Sequence, residues 1–116
     1  MMTLEDIKND KLLVNEIDWD MTPEESVTLY LEWGNNWSHG RMVRSKNDVS
    51  YYFVLNTWGD RPKIYLIKRN SEEAVELACL DLPEGLKDVF AKSGNYKKGV
   101  YGLNREMREW LQRELE

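Results

Sequence analysis

Residues 49–69 read VSYYFVLNTWGDRPKIYLIKR, and the alternation within them decides the fold. In the first half Tyr51, Phe53 and Leu55 point to one side of an extended chain, and Tyr52, Val54 and Asn56 to the other. In the second half Ile64 and Leu66 oppose Tyr65 and Ile67. The link WGDRP supplies Gly59, Asp60 and Pro62, residues suited to a turn, so an antiparallel hairpin is the simplest connection. Both faces of this hairpin are apolar. Each therefore needs cover, by helices on one side and by another segment or another subunit on the other.

The flanking chain supplies the helices. In DMTPEESVTLYLEWGNN, Thr22 is placed to cap a helix, Pro23 suits its first position, and Glu25 completes a capping box. Val27, Leu29, Tyr30, Leu31 and Trp33 then cover an arc of about 200°, wide enough to need more than one neighbour. Gly34 stops this helix and leaves Trp37 in a loop. The N-terminal LEDIKNDKLLVNEIDW predicts a short helix with Leu4 and Ile7 on one side. Beyond the hairpin, residues 72–80 fit either a helix or a third strand; the strand is preferred because a two-stranded sheet alone is marginal. Pro83 opens a middle helix with Leu86, Val89 and Phe90 inward, ending near Gly94. The short apolar GVYGL leads to Asn104, cap of a final helix striped by Met107, Trp110, Leu111 and Leu115. Along that helix, Arg105 to Glu109 and Glu109 to Arg113 have the spacing of ion pairs. The expected fold is α+β, an antiparallel sheet of two to four strands packed with N-terminal, middle and C-terminal helices.

A chain of 116 residues with 41% hydrophobic and 32% charged residues is consistent with one folded domain over 1–116. It shows no secretory leader and no apolar run near the ~20 residues that span a bilayer, so a cytoplasmic protein without membrane attachment is expected. The single cysteine, Cys79, allows no internal disulfide and fits a reducing compartment. The net charge of −5 disfavours nucleic acid as partner. Charge is nevertheless segregated: residues 1–40 carry two cations and nine anions, residues 41–69 seven and two, residues 70–116 seven and ten. Basic strands facing acidic helices, or an acidic surface on a second copy, would account for this pattern.

The stretches IDWDMTPEESVTLYLEWGNNW, VSYYFVLNTW and GVYGL resemble a family of small uncharacterised bacterial proteins from sulfate-reducing and related anaerobic bacteria. That resemblance covers nearly the whole chain. It implies a single-domain cytoplasmic protein without an assigned reaction, ligand or cofactor, and transfers no functional residues.

Chemistry-bearing motifs are sparse. One histidine and one cysteine, far apart in sequence, do not suggest a metal site, and neither phosphate-loop pattern occurs. The strand VSYYFVLN echoes part of the base-stacking strand of RNA-recognition domains, but lacks its opening Lys-Gly and its last aromatic. The residues singled out for binding are Asn35, Asn36, Trp37, His39, Arg41 and Arg44, which surround a tryptophan with donors and cations. Trp37 reads either as a surface anchor or, slightly favoured, as a lid folded over the core. No catalytic residue and no cofactor are assigned. The expected function is a non-enzymatic binding or protein-interaction module, as a homodimer or with another protein. The alternatives are a small-ligand or anion binder using the Trp33–Arg44 loop, and a small enzyme with His39 as base.

Overall fold

The computed structural model describes residues 1–31, 49–70, 73–86 and 96–116. Its centre is the hairpin read from the sequence. Strand β1 (Ser50–Asn56) pairs antiparallel with β2 (Lys63–Arg69), and β2 pairs antiparallel with β3 (Ala74–Asp81). Residues 74–81 are thus the third strand, with a bulge in the register after Leu66 that leaves Leu77 extra on β3. A short hairpin, β4 (Tyr96–Lys97) and β5 (Val100–Gly102), completes a sheet ordered β3-β2-β1-β5-β4. The GVYGL segment, expected only as a connector, is therefore a strand on the far side of β1. Four strands have three residues or more and the fifth has two.

Helices α1 (Leu4–Asn9), α2 (Lys11–Glu16) and α4 (Arg105–Glu114) cover one face. There Ile7, Leu13 and Ile17 meet Phe53, Leu55, Ile64, Leu66 and Leu80, with Met107, Leu111 and Leu115 from α4. The N-terminal segment forms two helices because Asp10 ends the first and caps the second, its Oδ1 accepting from Leu13 N at 3.1 Å. Next to it, Asp18 N donates to Tyr51 O at 2.8 Å, which fills part of the β1 edge that β5 is too short to reach.

The second face is covered by α3 (Pro23–Leu31). Its capping box forms as read: Glu25 N donates to Thr22 Oγ1 at 3.1 Å and Thr22 N to Glu25 Oε1 at 3.0 Å. Val27, Leu29 and Tyr30 pack on Tyr52, Val54, Ile67 and Val100. The helix start presses on β5, where a Cβ on Gly102 would lie 2.3 Å from Pro23 Cα. At the other end the buried Arg69 donates from Nη1 to Leu29 O at 3.2 Å, a cation placed at a helix C-terminal carbonyl. Cover for the second face is thus supplied by the chain's own helix.

Asn104 caps α4 as expected, accepting from Met107 N at 2.9 Å, and Arg105 pairs with Glu109 at 3.0 Å. The second ion pair, Glu109 to Arg113, is not formed among the described residues, since Glu109 is turned towards Arg105. Where a middle helix was expected, the described part is a 3-10 turn, Glu84–Leu86; Val89 and Phe90 lie outside the described residues. Among the described residues no helix is long and apolar enough to cross a membrane.

A candidate binding surface around Trp58

Asn35, Asn36, Trp37, His39, Arg41 and Arg44 all lie outside the described residues, as do Trp33 and Gly34. Among the described residues, the geometry suited to a partner lies at the end of the sheet where the β1–β2 link and the β4–β5 turn come together.

The β4–β5 turn is built on two consecutive left-handed residues, Lys98 at φ 54° and Gly99 at φ 81°. Two positive φ values in a two-residue loop match the right-handed twist of the flanking strands. The residues following β1 hold this turn by its carbonyls. Thr57 donates to Gly99 O from its backbone N at 3.0 Å and from Oγ1 at 2.8 Å. Trp58 Nε1 donates to Lys98 O at 2.6 Å. A Cβ at Gly99 would lie 3.1 Å from both Thr57 Oγ1 and Trp58 Cδ1, so this position favours glycine for space as well as for conformation.

Trp58 is fixed from its other side as well. Its backbone N donates to Asn56 Oδ1 at 2.7 Å, while Asn56 Nδ2 donates to Tyr30 Oη at 2.8 Å. Asn56 and Tyr30 are buried, at 6% and 4% exposure. The indole and the Tyr30 ring have centroids 5.9 Å apart at 46°. Despite these tethers Trp58 is 61% exposed. An aromatic with this much free surface and both N–H groups committed presents its ring in one orientation.

Beside it lies a depression of about 400 Å³ lined by Asn56, Gly59, Asp60, Arg61, Lys63, Tyr65 and Cys79. Lys63 is ion-paired to Asp81 across β2 and β3, and this hydrogen bond and charge hold the Asp81 carboxyl below its ordinary value. Tyr65 faces Cys79 in the β2–β3 register. Burial, followed by its hydrogen bond with Cys79 and nearby negative charge, pushes the Tyr65 phenol up to about 12. Burial likewise raises the pKa of Tyr30 and of Glu76, which lies opposite Ile67 on the same sheet face. A phenol held protonated in this way donates hydrogen bonds and is unsuited to act as a base near neutral pH. Among the described residues no group of three or more His, Cys, Asp or Glu side chains could hold a metal ion.

Neither Trp58 nor Asn56 was singled out from the sequence as a binding residue. The available signal was a tryptophan immediately before Gly-Asp in a turn, where burial is least assured, but its anchor lies some forty residues further on, at Lys98. Comparison with protein-family models, with curated proteins and with solved structures gave no match to this chain.

Proposed function

We propose that this protein is a non-enzymatic binding module that engages a protein partner through the Trp58 platform. The observation that carries the reading is the combination of 61% exposure with hydrogen bonds from both Trp58 N–H groups. Tryptophan and arginine are the common anchors of interfaces, and an aromatic already held in place loses little further freedom on binding. The sheet itself gives no reason to favour a second copy of this chain as partner, because α3 covers the face that would otherwise have needed one. The half-buried Cys79 and the absence of a second cysteine fit a reducing cytoplasm. Membership of the small bacterial family that the sequence resembles is compatible with this reading and adds no residue to it.

The test is capture from the source cell with the native chain and with Trp58→Ala. Truncating an anchor weakens binding by about 2 kcal/mol or more, whereas loss of the indole's hydrogen bond to Lys98 O lowers stability by about 0.5–1.5 kcal/mol. The expected result is loss of the captured partner from a chain that stays folded, with a modest fall in its melting midpoint. A partner retained in full by Trp58→Ala would refute this use of the platform.

A further inference from the structure

We infer that the Trp58 platform recognises a short acidic segment of a protein partner, with an apolar side chain over the indole and carboxylates on either side. This rests on the binding-module reading and adds the chemistry of the partner.

The sheet topology gathers cations at the platform. Arg61 and Lys63 come from the β1–β2 hairpin, Lys97 and Lys98 from the β4–β5 hairpin, and the Trp58–Lys98 hydrogen bond joins the two. Lys63 is committed to Asp81. Arg61, Lys97 and Lys98 are exposed and form no ion pair among the described residues. Asp60 is the one anion within the two turns. On a chain of net charge −5, this end is therefore locally cationic around an exposed indole. Exposed cations contribute mainly to steering and to selection of partner, while the aromatic contributes most of the contact area.

The same features choose among anionic ligands. A nucleic acid presents a regular line of phosphates and draws its affinity from many cations; the three unpaired ones at this end among the described residues, interrupted by Asp60, make a poor track. A small anion is better served by an enclosed site, but here the cationic residues lie on two exposed hairpin turns that flank an exposed indole. An acidic peptide matches both parts, because it brings carboxylates and an apolar side chain together on one flexible strand.

The experiment uses the full chain and a synthetic peptide with a leucine flanked on both sides by three glutamates. Two controls accompany it, the same peptide with lysines in place of glutamates and an oligothymidylate. Binding is followed by the amide resonances and by the indole N–H of Trp58. The expected result is a saturable shift at Trp58, Arg61 and Lys98 with the glutamate peptide, suppressed by salt. Arg61→Glu combined with Lys98→Asn, which keeps a residue tolerant of positive φ, should weaken it by more than about tenfold without moving the melting midpoint. Absence of shifts at millimolar peptide, shifts elsewhere on the surface, or equal binding of the lysine peptide would overturn the inference. Tighter binding of the oligothymidylate would overturn it in favour of nucleic acid, and self-association through the same residues in favour of a second copy. If Trp58→Ala abolishes capture of the cellular partner while the glutamate peptide has no effect, the acidic-segment inference fails and the binding-module reading stands.

Discussion

Tyr65 is where a single residue most directly reports its surroundings. Its phenol is pushed from 10.0 to about 12, first by burial and then by its hydrogen bond with Cys79 and by neighbouring negative charge. The folded state thus favours the neutral phenol. The resulting stabilisation is complete below the ordinary value and is lost as pH rises through the folded one. Ultraviolet titration should show late-ionising tyrosine absorbance that falls by one residue in Tyr65→Phe, with the share of Tyr30 remaining; ionisation of every tyrosine near 10 would contradict this account. Glu76 obeys the same sign, since burial raises its carboxyl. Glu76→Gln is expected to raise the urea midpoint at neutral pH by a small margin, and a lowered midpoint would show that the charge is used. Gly102 is a matter of space alone. The Cβ added by Gly102→Ala would fall 2.3 Å from Pro23 Cα, so α3 must move, at a cost of about 1–3 kcal/mol measured by denaturant unfolding. An unaltered midpoint would mean that α3 is free to lift.

The elements differ in how much of their packing can be read locally. The final helix carries its own signals, a cap at Asn104 and a stripe with helical spacing, and the structure reproduces both. Within that stripe Met107 and Leu111 are fully buried, while Trp110 lies at the half-buried margin. Leu111→Ala should accordingly cost about 2–5 kcal/mol, and Trp110→Ala less, despite removing the larger side chain. Comparison of the two denaturation midpoints checks the order, and a reversed order would place Trp110 in the core. The hairpin and the capping box of α3 were legible because spacing and turn residues within a few positions determine them, whereas residues 72–80 fitted helix and strand alike and the strand was preferred only because a two-stranded sheet alone is marginal. Strand β5 was not, because three residues have too little period to register and its pairing with β1 is long-range. The candidate platform was hidden for the same reason: Tyr30, the Asn56–Trp58 pair and Lys98 come from three separate segments. The loop of Asn35 to Arg44 drew notice because its polar, basic and aromatic residues are contiguous, and it lies outside the described residues.

At the scale of the whole molecule, β1 occupies the middle of the sheet and separates two cores, one beneath α1, α2 and α4 and the other beneath α3. Both edges of β1 are paired over residues 54–56, and all four of Tyr52, Phe53, Val54 and Leu55 are buried. Hydrogen exchange should therefore be slowest in β1 and the facing part of β2, and fastest in β4. Amides of β3 outlasting those of β1 would contradict a single central strand. The position of β1 also carries a consequence in time. Its partner on one side follows within a few residues, but Tyr101, the partner of Leu55 on the other, is made 46 residues later (101 − 55). At a synthesis rate of about 5–20 residues per second, the interval is roughly 2–9 s. For those seconds the most apolar strand of the nascent chain lacks its β5 partner, and Trp58 has no turn to grip.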